Sequence, residues 1–209
     1  MVNERSFIMT HNGTRDTKER IREAAIRVFA HEGFDRASVK SIAAEAGVAV
    51  GSIYNHFADK DDLLISIFEE EFNARLSFID ELRSGSGPVL SQIEALIEAH
   101  FRKVRQYPEL AELLLYERFH PGGRLQERII PLQRRIVERI EEILRTGIDA
   151  GWIRPCHPKV VAQALFDLVQ TMTACRVLAE GSDAEDALAV APKELADLMW
   201  KGLRRTDDD

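Results

Sequence analysis

The segment FDRASVKSIAAEAGVAVGSIYNHFADKDDLL, Phe34 to Leu64, decides the fold. Ser38 is a good N-cap, and the helix it starts runs through Ile42 and Ala43 to a stop at Gly47. A second short helix is expected from about Ala49 to His56. Two short helices joined by a tight glycine turn make a helix-turn-helix, whose second helix presents its N-terminal side chains to the major groove of duplex DNA. Val39, Ile42, Ala43, Ala46, Val48 and Ile53 are expected to hold the pair together against a preceding helix. The exposed remainder of the second helix is small: Ala49, Val50, Gly51 and Ser52. Small side chains let a helix approach base edges closely, and Val50 suits the methyl group of a thymine.

Upstream, Ile21, Ala24, Ala25, Val28 and Phe29 share one helical face, Asp16 and Glu19 have the spacing of a capping box, and Gly33 ends the run. Residues 1–14 are polar and aperiodic and read as a flexible arm. Downstream, Asp59 caps a long helix whose stripe is Leu63, Leu64, Ile67, Phe68, Phe72, Leu76 and Ile79. Three acids, Asp59, Asp61 and Asp62, suit the positive end of its dipole. Ser84-Gly85-Ser86-Gly87-Pro88 breaks it. Further helices are expected at 88–106, 108–119, 124–150, 158–179 and 192–203, with a turn at His120 to Gly123. Pro131 should kink the third of these, and Pro158 and Pro192 stand where a first helical turn accepts proline. Neither strand alternation nor an internal repeat is present, so the fold class is all-α, with nine helices.

The chain has 209 residues, 45% of them apolar and 7% aromatic, enough for one or two domains with a sizeable core. Its formal charge of −7 argues against a nucleic-acid binder only while it is averaged over the whole chain. Residues 1–60 hold nine Lys/Arg and eight Asp/Glu, a balance of +1, and residues 61–209 hold 19 and 27, a balance of −8. The acidity belongs to the second part, so we divide the chain into an arm (1–14), a helix-turn-helix domain (15–60) and a helical body (61–209). Cys156 and Cys175 make no disulfide scaffold and read as reduced thiols of a cytoplasmic protein. No signal peptide and no run of about 18 apolar residues is present, so neither secretion nor a membrane span is expected.

An enzyme is not expected. A di-iron bundle needs two Glu-x-x-His motifs and two further helical glutamates, and only Glu117 and His120 have that spacing. Cys156-His157 has no zinc-type partner, and phosphate loops and nucleophile motifs are missing. No metal or cofactor is expected. The rival of another class is a helical adaptor that does not bind DNA.

The chain resembles the TetR family of one-component transcriptional regulators at Ile21, Ala24-Ala25 and Phe29, then Gly33-Phe34, Ser38-Val39, Ile42-Ala43 and Ala46-Gly47-Val48. The likeness continues through Gly51-Ser52-Ile53-Tyr54-Asn55-His56-Phe57 and Lys60-Asp61-Asp62-Leu63-Leu64. It implies a homodimeric repressor with a DNA-binding head and a ligand-binding body, seated on a palindromic operator and released by a small-molecule effector. By resemblance, Tyr54 and His56 contact phosphate or bases, Lys60 grips the DNA backbone, and the Ser38 hydroxyl bonds a phosphate. Val50, Gly51 and Ser52 fall on recognition positions. Lys40 beside the first short helix is as readily a solvated charge as a phosphate contact, and Phe57 reads as a core aromatic. Ala49 and Val50 depart from the polar residues common there, which leaves few hydrogen bonds for base reading.

In the body, the resemblance places an effector pocket, for which Phe72, His100, Phe101, Tyr116, Arg118, Phe119, Phe166 and Met172 are the candidates. An apolar stripe also serves as plain core, and His100 as a hydrogen-bonded core histidine. Residues 112–153 are similar to the branch that regulates fatty-acid degradation in response to long-chain acyl-coenzyme A, whose nucleotide would call on Arg118, Arg124, Arg128, Arg134 and Arg135; Arg134 and Arg135 serve equally as a solvated helix face paired with Glu138. The alternative is control of an efflux or catabolic operon by another hydrophobic ligand. By resemblance, Val161, Leu165, Leu168, Leu195, Leu198 and Met199 are the candidates for a four-helix dimer interface, and Leu165 and Leu195 suit the core of one subunit as well.

Overall fold

The computed structural model describes residues 16–85, 87–119, 123–178 and 182–204, with the side chains of 116–119, 174–178 and 182–188 not described. The expected arm at 1–14 and the turn at His120 to Gly122 lie outside the described residues. So do the side chains of Tyr116, Arg118, Phe119 and Cys175.

Among the described residues nine helices follow one another: α1 (Thr17–Glu32), α2 (Val39–Ala46), α3 (Val50–Tyr54), α4 (Lys60–Ser84), α5 (Val89–Gln106), α6 (Pro108–Phe119), α7 (Gly123–Asp149), α8 (Pro158–Leu178) and α9 (Ser182–Leu203). Among the described residues the one non-helical pairing is an isolated antiparallel bridge between Ile153 and Arg204. Among those residues no helix is long and apolar enough to cross a membrane.

Capping chemistry departs from expectation at α1. The Asp16 side chain makes no cap bond; its carbonyl accepts from the Glu19 and Arg20 amides, while Glu19 is buried and paired with Arg22 at 2.6 Å. A carboxylate committed to a guanidinium one turn on does not reach back to the N-cap. The capping box forms at α2 instead, where Ser38 accepts from the Ser41 amide at 3.0 Å and the Ser41 hydroxyl answers the Ser38 amide at 3.1 Å. At α4 the Asp59 carboxylate accepts from Asp62 N at 2.7 Å, and Asp62 accepts from Ala58 N at 3.0 Å. α3 is shorter than expected, ending at Tyr54 with Asn55 and His56 in the following turn. α7 runs on through Pro131. α9 starts at Ser182, so Pro192 sits inside the helix rather than in its first turn.

Two compact units emerge. Among the described residues, one comprises residues 16–74 together with Tyr107–Leu132, and the other comprises Arg75–Gln106 with Gln133 onward. In the first, α1 packs against α2 and α6, and Ile21, Ala24, Phe29, Ile42, Ile53 and Phe68 form a closed core. In the second, α9 packs on α5 and α8 around Ile79, Ile93, Ile97, Phe101, Ile136 and Leu144. There Gly147 permits the chain to double back: a Cβ on it would stand 2.7 Å from Cδ1 of Ile153 and 3.0 Å from Cγ1 of Val89.

Candidate nucleic-acid interface and ligand cavity

The turn between α2 and α3 is held from both sides. Gly47 takes a left-handed backbone (φ 64°), which a residue with a Cβ adopts at a cost, and Val48 N bonds back to Ala43 O at 3.0 Å. From α1, Arg20 donates to the Ala46 carbonyl at 2.7 Å, placing a cation at the negative end of the α2 dipole. Sequence reasoning missed Arg20, because the partner is a backbone carbonyl that leaves no mark in the sequence. Ile53 and Phe57 anchor α3 to the core, with Lys18 Nζ 5.6 Å from the centre of the Phe57 ring, so Phe57 is the core aromatic expected.

That anchoring turns the rest of α3 outward. Tyr54 is 55% exposed and Val50 39%, Gly51 and His56 are exposed, and Ser52 is half-buried. Ser38 and Lys40, at the start of α2, are exposed as well. The candidate DNA residues therefore stand on the solvent side of two short helices whose opposite sides are locked into the core.

Lys60 is placed differently. Its ammonium is half-buried, donates to the carbonyls of Phe34 (2.6 Å), Ala37 (3.1 Å) and Asp35 (3.3 Å), and lies 4.4 Å from the centre of the Phe34 ring. An ammonium has three hydrogens, so three carbonyls of the α1–α2 loop occupy all of them. The backbone-gripping role expected from the resemblance gives way to a loop clamp. Other cations of this part are also engaged inside it: Arg22 with Glu19 and Glu70, Arg27 with Glu45, and Arg36 with the Glu32 carbonyl.

Arg124 and Arg128, expected to meet a nucleotide, instead reach Asp59 at 2.7 Å and Glu69 at 2.5 Å. The Asp62 backbone N–H and then the Arg124 guanidinium hold the Asp59 carboxyl below its ordinary range. Arg134 and Arg135 are exposed.

Within the second unit, α5, α7 and α8 enclose a cavity with about 470 Å³ of unfilled volume including its mouth, of which about 40 Å³ has room for water. Of the expected pocket residues, His100 and Phe166 line it. Phe101 is fully buried without lining it, Phe72 is buried in the other unit, and Met172 is half-buried on α8. Leu165, expected at a dimer interface, is buried in the cavity wall, and Leu195 is buried core; both packing surfaces lie within the chain. Leu198 is 61% exposed, Val161 and Leu168 are half-buried, and Met199 borders a groove with Leu90 and Trp200.

His100 Nε2 lies 2.7 Å from Thr173 Oγ1, and that hydroxyl donates to the Val169 carbonyl at 3.1 Å. With the hydroxyl hydrogen so used, Nε2–H is the donor and Nδ1 carries the lone pair. Burial, then Arg75, then Lys103 hold the imidazole well below its ordinary pKa, so it is neutral. Arg75 itself also lines the cavity, with Nη1 3.4 Å from Gln170 Oε1. It was legible in principle, because position 75 falls on the apolar stripe of α4 between Phe72 and Ile79, where a charged residue is out of pattern.

Residues 21–67 match the family described as bacterial regulatory proteins, tetR family, and residues 86–174 match the tetracyclin repressor-like C-terminal domain. The chain is 30% identical over 156 residues to the uncharacterized HTH-type transcriptional regulator YhgD of Bacillus subtilis, covering 73% of this chain and 80% of that one. It is 25% identical over 182 residues to the fatty acid metabolism regulator protein of the same organism, covering 87% and 92%. The crystal structure of the transcriptional regulator FadR from Bacillus subtilis in complex with stearoyl-CoA superposes with a TM-score of 0.77 at 24% identity, over 88% of this chain and 97% of that one.

Proposed function

Because the chain belongs to the TetR family of bacterial regulatory proteins, and is a ligand-responsive DNA-binding transcriptional regulator, we propose that it is a cytoplasmic homodimeric repressor. In this reading it occupies a palindromic operator and is released by long-chain acyl-coenzyme A. The observation that carries the DNA part is the outward row of Val50, Gly51 and Tyr54 on α3 and His56 in the turn after it, with Ile53 and Phe57 locked into the core on the other side. Ser38, Lys40 and Ser52 complete the contacting surface. Phosphate contacts from hydroxyl, phenol and imidazole groups set the register, and Val50 reads a methyl. We assign residues 15–60 to DNA binding and 61–209 to effector binding and dimerisation.

The effector reading is supported by the apolar walls of the cavity and by the likeness to a fatty acid metabolism regulator and to the fold of FadR, which was solved with stearoyl-CoA. Val161, Leu168 and Leu198 are the dimer residues of this reading. Two heads can occupy two half-sites together only at one separation, about 34 Å or a multiple of it, so a ligand that favours another separation dissociates both.

A gel-shift titration with the DNA flanking the gene tests this. The expected result is a salt-sensitive complex dissolved by micromolar oleoyl-CoA and not by coenzyme A alone. No complex at low salt would leave the adaptor reading standing; a complex released only by a different hydrophobic compound would replace the effector.

A further inference from the structure

The cations of the DNA-binding part are mostly spent inside it. Of the seven Lys and Arg of residues 16–60, five donate to partners within the protein: Arg20 to the Ala46 carbonyl, Arg22 and Arg27 to carboxylates, Arg36 to the Glu32 carbonyl and Lys60 to three loop carbonyls. Two remain, Lys40 at the exposed start of α2 and Lys18 in the first turn of α1. Lys40 already belongs to the contacting surface; nothing in the local sequence singles out Lys18.

What holds Lys18 is a ring. Its ammonium lies over Phe57, 5.6 Å from the centre, a distance at which the face of an aromatic ring attracts a cation. Among the described residues it meets no carboxylate and no carbonyl. Neighbouring acids are engaged elsewhere, Glu19 with Arg22, Asp59 with Arg124 and Asp62 with the Ala58 amide, and Asp16 and Asp61 make no ion pair with it. A ring face attracts the charge and leaves the three N–H hydrogens able to donate.

The same ring stands next to the DNA surface. Phe57 is buried and follows His56, whose exposed ring lies 6.3 Å from that of Phe57. Lys18 and His56 are thus both neighbours of one fixed ring, beside the turn that closes α3. Lys18 is half-buried, so part of its rotamer freedom is already lost, and ordering it against a phosphate costs less than ordering the fully exposed Lys40.

We propose that Lys18 is a further DNA contact: held on Phe57 next to His56, its ammonium donates to a phosphate of the DNA backbone and supplies the grip that Lys60, turned into the α1–α2 loop, does not. This rests on the DNA-binding reading above and adds a residue to it. A phosphate is the same at every base pair, so Lys18 adds affinity on any duplex and no sequence preference.

The full-length protein is titrated against two fluorescent duplexes, one carrying the DNA that flanks the gene and one of the same length with that sequence scrambled, in about 50 to about 200 mM KCl. Lys18→Met keeps the apolar stem and removes the charge. It should bind both duplexes about tenfold or more weakly at the low-salt end, and the slope of log K against log salt should fall by about 0.9 for each copy of the chain bound. Its melting temperature should stay close to that of the wild type, and Lys18→Arg should keep the wild-type slope. An unchanged slope in Lys18→Met overturns the proposal, whether affinity is kept or lost. So does a Lys18→Met protein that does not fold, since Lys18 then serves Phe57 and not DNA, and so does a Lys18→Arg slope as low as that of Lys18→Met. A weakening confined to the flanking duplex makes Lys18 a reader of bases and overturns the phosphate assignment. In each of these the wild type still binds and the DNA reading stands; a wild type that binds neither duplex at low salt overturns both.

Discussion

The ammonium of Lys60, at the first position of α4, donates to the carbonyl of Phe34 at 2.6 Å and lies over the ring of the same residue at 4.4 Å. The loop that joins α1 to α2 contains carbonyls with no helical partner, and this lysine supplies their hydrogen bonds. Lys60→Met should therefore act on stability, at about 1–3 kcal/mol for the carbonyls left unsatisfied. Urea denaturation measures it. The salt dependence of DNA binding separates this clamp from a phosphate grip: a lost phosphate contact lowers the slope of log K against log salt by about 0.9. We expect the slope of the folded variant to be unchanged.

Tyr54 predicts the reverse pattern. More than half of it is exposed, so Tyr54→Ala should leave stability within about 0.5 kcal/mol of the wild type. Losing a hydrogen bond to a charged phosphate costs about 1.5–3 kcal/mol, a roughly tenfold or greater loss of operator affinity. Gel shift and thermal melting on the same preparation check both halves, and a falling melting temperature without loss of DNA binding would return Tyr54 to the core.

How much of this was legible in the sequence depends on where each residue's partner lies. Ser38, Gly47 and Asp59 declared their helix ends because capping is local, and the stripe from Leu63 to Ile79 declared α4 because apolar spacing is local too. Lys60 and Arg20 did not declare their roles, since both bond backbone carbonyls 23 or more residues away. His100 and Thr173, 73 residues apart, meet only through packing of α5 on α8. The start of α9 was missed because the Ala-rich stretch before Pro192 shows little contrast between polar and apolar faces, and proline was given more weight as a boundary than the fold gives it. Leu165 looked like interface because burial inside one subunit and burial between two leave the same apolar signature.

Gly147 offers a test of packing alone. With Ile153 and Val89 standing where its side chain would go, Gly147→Ala overfills the corner between α5, α7 and the segment after it. Overpacking costs about 1–3 kcal/mol, against which the better helix propensity of alanine returns at most about 1 kcal/mol. The net effect on the denaturation midpoint should be destabilising, and Gly147→Ala with Ile153→Val should recover part of it by removing the methyl at the 2.7 Å contact.

The pH dependence of stability should carry the signature of His100. Its folded pKa is held well below the ordinary 6.5 by burial first and by Arg75 and Lys103 second, whereas the unfolded chain titrates near 6.5. Below 6.5 the unfolded state binds a proton that the folded state refuses, so stability falls as pH falls from neutrality. The slope approaches about 1.4 kcal/mol per pH unit for the one group, until the folded pKa is reached. Above 6.5 both states are neutral at this residue and the contribution is flat. His100→Gln keeps an N–H to offer the Thr173 hydroxyl and removes the titration, so its stability should change less than that of the wild type between pH 7.5 and pH 5. Urea midpoints for the two proteins across that range decide the matter: parallel curves would mean that His100 takes up its proton as readily in the fold as in the unfolded chain.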